Sequence, residues 1–116
     1  MIANIKTLLL TSALSTAALG AVQATFNRYF ETGCATGLGA FTVVEGYCGN
    51  VESFPVLSWD AYITSGACED SSTSPVVRIF SEPGCETGLI GSAAIGAEDQ
   101  CVEVDATIQS VTLVCE

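Results

Sequence analysis

The chain has 116 residues, 49% of them hydrophobic, with 13 acidic side chains, three basic ones and no histidine, for a formal charge of −10. That balance excludes a nucleic-acid or anionic-membrane binder, because both modes rely on Lys and Arg displacing counterions, and it suits solubility and cationic partners. The apolar fraction excludes a disordered chain, and without histidine a catalytic thiol lacks its usual base.

Residues 1–24 read as a secretory signal peptide. Lys6 supplies the positive start, Thr7–Leu19 carries no charge, and Val22 and Ala24 stand at −3 and −1 of a cleavage site after Ala24. The apolar part is too short and too rich in Ser and Thr to span a bilayer, which takes ~20 apolar residues. The expected product is one soluble, monomeric, extracellular domain, residues 25–116, whose only cations are Arg28 and Arg78. A domain of that size buries only ~60–65% of its unfolded surface and needs staples. Cys34, Cys48, Cys68, Cys85, Cys101 and Cys115 supply them, since an even count behind a secretory leader means a disulfide framework. No two cysteines lie closer than 14 positions, which argues against a zinc cluster.

In chain order, the local signals are β. Thr25–Phe30, Ala40–Glu45, Ala61–Ser65, Val76–Phe80 and Ser110–Cys115 are β-branched, aromatic or alternating runs, separated by Gly, Pro, Asp and Ser. Gly91–Gln100 has room for a turn of helix, though Gly91 and Gly96 oppose a long one. The chain also repeats itself. RYFETGCATGL (28–38) and RIFSEPGCETGL (78–89) match with one residue inserted near Pro83, Cys48 matches Cys101, DAYITS (60–65) matches DATIQS (105–110), and Cys-Glu follows in both. The halves are 25–68 and 75–116, joined by a polar linker, 69–74. Neither is long enough to bury a face alone, so the two must pack together, with about four strands each.

This punctuation resembles the βγ-crystallin family. Tyr29 and Phe80 each stand five residues before a cysteine, at the first aromatic position of that family's folded hairpin, with Gly37 and Gly88 after it. DAYITS fits the family's second segment at Asp60, Thr64 and Ser65, and DATIQS fits at Asp105 and Ser110. The resemblance implies an all-β fold of two pseudo-symmetric Greek-key halves packed as a small sandwich. Cysteine replaces the second aromatic in both halves, a covalent staple in place of a ring clamp. In size, leader and cysteine content the chain is also similar to the small cysteine-rich proteins secreted by filamentous fungi. Equivalent halves imply symmetric disulfides, expected as Cys34–Cys48, Cys85–Cys101 and Cys68–Cys115.

By the resemblance, Asp60, Thr64 and Asp105 are candidate calcium ligands, but Ala61, Ala106 and Gln109 remove oxygens from a set that needs 6–8. The competing reading has the aspartates capping turns. The stretch from Glu52 to Asp60 is the longest departure from the repeat, with 19 residues between Cys48 and Cys68 against 13 between Cys101 and Cys115. It is expected as a loop, with Phe54, Trp59 and Tyr62 as a binding surface or, alternatively, with Trp59 and Phe54 in the core. The leading functional expectation is a secreted, non-enzymatic binding protein with an unidentified extracellular partner and no cofactor, in an effector-like, toxin-like or cell-wall role. A calcium-binding crystallin-type module and a small enzyme inhibitor are the alternatives.

Overall fold

The structure, a computed structural model, describes residues 20–116. The signal-peptide reading therefore lies outside the described residues as far as residue 19. The cleavage position read after Ala24 falls inside the first strand. Val22 and Ala24 are fully buried, Val22 N–H donates to Glu45 Oε1 (3.1 Å), and Glu45 N–H donates to the Val22 carbonyl (2.9 Å).

Among the described residues there are six strands: β1 (Gln23–Tyr29), β2 (Gly37–Val44), β3 (Cys48–Ser65), β4 (Pro75–Phe80), β5 (Leu89–Ala94) and β6 (Gln100–Cys115). One 3-10 turn, Thr32–Cys34, interrupts them. All pairings are antiparallel, in one sheet of order β2-β1-β3-β6-β4-β5. That order reads the same from either edge once first-half strands are matched to second-half ones. The match extends to single residues. In the central β3–β6 ladder Cys48 faces Thr112 while Cys101 faces Asp60, and Asn50 faces Ser110 while Glu103 faces Ser58. A pseudo-twofold axis therefore passes through the middle of this ladder.

The two long strands explain why the count is three strands per half and not four. Each first pairs along its partner from the other half, then continues beside the short first strand of its own half, β1 or β4. Two register shifts, between Asn50 and Phe54 of β3 and opposite Val56–Ser58 in β6, bend the strands without ending them. Residues 52–60, expected as a loop, thus lie within β3. The room for a turn of helix in 91–100 is not used, since Leu89–Ala94 pairs with β4 and residues 95–99 run on without helix.

Inward side chains from both halves meet in one core. Phe26 and Ala24 of β1, Trp59 and Ala61 of β3, Val77 and Ile79 of β4, and Ile108, Val111 and Leu113 of β6 are all buried in it. The Phe26 and Trp59 rings sit at its centre, 5.6 Å apart and tilted by 40°, a contact geometry that aromatic pairs favour. Gly49 lies directly under the Phe41 ring, where a Cβ would collide with it.

The disulfides are Cys34–Cys101, Cys48–Cys85 and Cys68–Cys115. The expected Cys34–Cys48 and Cys85–Cys101 pairs are not formed. The pseudo-twofold is respected, but by exchange. Each Gly-Cys turn crosses the axis and docks on the start of the other half's long strand. Gly33 N–H donates to Glu103 Oε2 (3.0 Å) and Gly84 N–H to Asn50 Oδ1 (2.9 Å), which sets each turn's cysteine beside Cys101 or Cys48. Both turn cysteines take the left-handed backbone region, with φ of 55° at Cys34 and 57° at Cys85, where a non-glycine residue is uncommon.

Hydrogen bonds also correct the repeat alignment. Cys34 N–H donates to Ser58 Oγ (2.9 Å) and Cys85 N–H to Ser110 Oγ (3.0 Å), and these hydroxyls donate in turn to the carbonyls of Glu31 and Glu82. Ser58 therefore corresponds to Ser110, displacing the DAYITS–DATIQS match. Counting back from the cysteines, Tyr29 corresponds to Phe80 and Arg28 to Ile79. The extra residue of the second half comes after Cys85, where Ser81 N–H reaches Gly88 and Phe30 N–H reaches Thr36.

Candidate functional site

Asp60, Thr64 and Asp105 do not converge. Thr64 is four residues beyond Asp60 on β3, ~13 Å at the rise of an extended chain, and its hydroxyl donates to the Gln23 carbonyl (3.2 Å). Asp105 is exposed in the irregular stretch of β6, between the residues that face Val56 and Ser58 in the middle of β3. Among the described residues no group of three or more His, Cys, Asp or Glu gathers as a cation would require.

Asp60 has a different setting. It is 4% exposed, on the face of β3 opposite Trp59, and its two oxygens accept from Asn27 Nδ2 (2.9 Å) and the Tyr29 hydroxyl (2.8 Å). Both donors come from β1, so the carboxylate ties β1 to β3 where a buried charge must be hydrogen-bonded. Burial, then the hydrogen bond and charge of Asp60, then the charges of Asp99 and Tyr62, push the Tyr29 phenol up to about 12. Burial and the neighbouring Asp60 likewise hold the Asp99 carboxyl above the usual carboxylate range. Neither aspartate lines any of the four grooves described. The cluster is a fastening between strands β1 and β3.

Of the aromatic residues singled out in the sequence, Trp59 belongs to the core and Tyr62 is half-buried on β3. Phe54 is exposed and meets Phe30 edge-on, with ring centroids 6.2 Å apart. It stands at the end of the irregular stretch of β3. Between Asn50 and Phe54 that strand advances four residues while β6 advances two, from Ser110 to Ile108. The symmetry-related stretch, Glu103 to Ala106, advances three against two. The first half therefore carries the larger bulge by one residue, while most of its extra length lies beyond Ser58, which stands ten positions before Cys68 where Ser110 stands five before Cys115.

The larger bulge opens a groove of about 300 Å3 between the start of β3 and the outer strand β2. Leu38, Phe41, Val51 and Phe54 supply its apolar wall, and Arg28, Asn50 and Glu52 its polar one. Arg28 donates one N–H to the Glu52 carbonyl (2.6 Å). Burial lowers the Arg28 pKa, and the Glu52 charge opposes that shift. The groove's symmetry mate holds about 120 Å3 and is lined by Ile79, Ile90, Val102, Glu103 and Val104. Arg28 thus faces solvent-accessible space where the second half has Ile79, and Asn50 stands where the second half has Glu103. The sequence singled out Phe54 by insertion length but missed Arg28, because the gapped alignment paired it with Arg78 and hid the difference. Arg78 is committed to an ion pair with Glu116.

Compared with protein-family models, curated proteins and solved structures, the chain matches none of them.

Proposed function

We propose that this chain is a secreted, non-enzymatic binding protein whose recognition surface is the bulged side of its first half, from Phe30 across Phe54 to Arg28. The observation that carries the reading is the break in symmetry. Backbone pairing, turn hydrogen bonds and disulfides repeat across the axis, while the two grooves differ in volume, charge and exposed rings. A doubled scaffold that diverges at one surface has its specificity there, and strained or irregular strand segments commonly mark such surfaces. Three disulfides, and no helix among the described residues long and apolar enough to cross a membrane, are compatible with an extracellular setting. The exchange of long strands across the axis supports a pair of Greek-key halves of the crystallin type as the underlying architecture. A calcium-binding module of that type has less support, given the separation of Asp60, Thr64 and Asp105.

A fragment screen on 15N-labelled protein tests the reading. Hits are expected to move amides at 38–41 and 50–54 and to leave 90–92 and 102–104 in place. An absence of hits, or hits gathered on the second half, refutes it. Hydrolysis of a polysaccharide or peptide by the purified protein, lost on substitution of a carboxylate, defeats the non-enzymatic part.

A further inference from the structure

We propose that the groove beside Arg28 binds small carboxylates bearing an apolar or aromatic tail. The proposal rests on the binding reading above and adds the chemistry of the ligand. A guanidinium has five N–H donors in a planar fork that matches a carboxylate. Arg28 spends one on the Glu52 carbonyl, and its others have no protein partner among the described residues. Asn50 accepts from Gly84 through Oδ1, and neither N–H of its amide has a protein partner among the described residues, so it keeps two donors. The polar side of the groove therefore offers the free donors of Arg28 and Asn50 beside the Glu52 carboxylate, and the Phe41, Phe54, Leu38 and Val51 side is apolar.

Charge complementarity selects among anions. The groove holds one cation, Arg28, on a strongly acidic chain, with Glu52 alongside. One positive charge matches a monoanion. A phosphate dianion keeps an excess charge against the surrounding carboxylates and is disfavoured. A volume of about 300 Å3 is at the small end for ligand sites, so the tail is short. The second half is an internal control. With Ile79 in place of Arg28, its groove has no cation to set against its own carboxylate, Glu103.

The test uses 3-phenylpropionate as probe, 3-phenylpropionamide as its uncharged counterpart and phenyl phosphate as the dianion, each titrated into 15N-labelled protein at pH 7. The acid is expected to shift amides at 38–41 and 50–54 and to bind about tenfold or more tighter than the amide, the usual worth of a charge-assisted pair. Arg28→Leu is expected to reduce the acid to the amide's level, and Glu52→Gln, which keeps the carbonyl that accepts from Arg28, to tighten the acid several-fold. Equal binding of acid and amide in this groove overturns the ligand class and leaves the binding reading standing. Shifts by neither compound at these amides, with other fragments also silent, overturn both. Tighter binding of phenyl phosphate, or acid binding unchanged in a folded Arg28→Leu protein, also overturns the proposal. If Arg28→Leu does not fold, Glu52→Gln decides, and no tightening there counts against it.

Discussion

Ser58 and Ser110 provide a quantitative check on the pseudo-twofold. Each hydroxyl is fully buried and does two jobs, accepting from the N–H of a turn cysteine and donating to the carbonyl of a turn glutamate. Ser58→Ala leaves the Cys34 N–H and the Glu31 carbonyl without partners, and Ser110→Ala does the same at Cys85 and Glu82. An orphaned buried polar group costs ~1–3 kcal/mol. The glutamate carbonyls are at exposed residues where water can replace the serine, so the N–H dominates, and each variant is expected to lose about 2 kcal/mol. For a domain of this size that lowers Tm by roughly 8–16 °C. The two losses should agree within about 0.5 kcal/mol, and because the serines hold different turns they should add in the double variant. Thermal unfolding by circular dichroism is the assay, with Trp59 fluorescence as a second probe of the same transition. A silent serine in one half beside a costly one in the other refutes the equivalence of the turns. Losses below ~0.5 kcal/mol in both refute the account of what holds them.

The exchanged disulfides predict thiol counts. Replacing Cys34 and Cys101 together by Ser leaves no free thiol in denatured protein, whereas replacing Cys34 and Cys48 strands two, and thiol titration separates the cases. The first of these variants opens a 67-residue separation and is expected to lose ~4 kcal/mol. Asp60→Asn should bring the Tyr29 phenol down from about 12 only part of the way to 10, because burial, the larger cause, remains; ring NMR against pH follows it, and an unmoved titration contradicts the pairing. Asp99, with its folded pKa raised, binds its proton more readily when folded, so it adds stability as pH falls through that pKa and loses it as pH rises back. Asp70, lowered by its Ser72 hydrogen bonds, contributes above 3.8 and loses its contribution as pH falls through its folded pKa. Urea midpoints between pH 6 and pH 3 should therefore fall faster for Asp99→Asn than for the parent, and more slowly for Asp70→Asn.

Strands β1, β2 and β4 and the last third of β6 were legible because their burial alternates or their residues are β-branched, as at Val76–Phe80. The first parts of β3 and β6 were not. GNVESFP and QCVEVDA carry Gly, Pro and alternating acids, the composition of connections, and they are strands because a partner from the other half supplies their hydrogen bonds. No window of local sequence contains that partner. The doubling was legible, but its register was not, since identical letters at Arg28 and Arg78 outweighed a shift that only hydrogen bonds at Ser58 and Ser110 reveal. The same limit applied to the cysteines. Pairing within halves and pairing across the axis are equally symmetric in one dimension, and the choice is made by turns that reach over to Asn50 and Glu103. The candidate groove was half visible. Insertion length marked Phe54, while Arg28 emerged only when its counterpart proved to be Ile79.

The crossing of all three disulfides between halves orders events during synthesis. Cys34, Cys48 and Cys68 emerge first, and every native mate lies at Cys85 or beyond. Any bond formed among the early three is a wrong one that must later be undone by exchange with a free thiolate. Native closure of this small body therefore waits on the second half, whose Cys85, Cys101 and Cys115 become available in turn, and an oxidant that acts before them works against it.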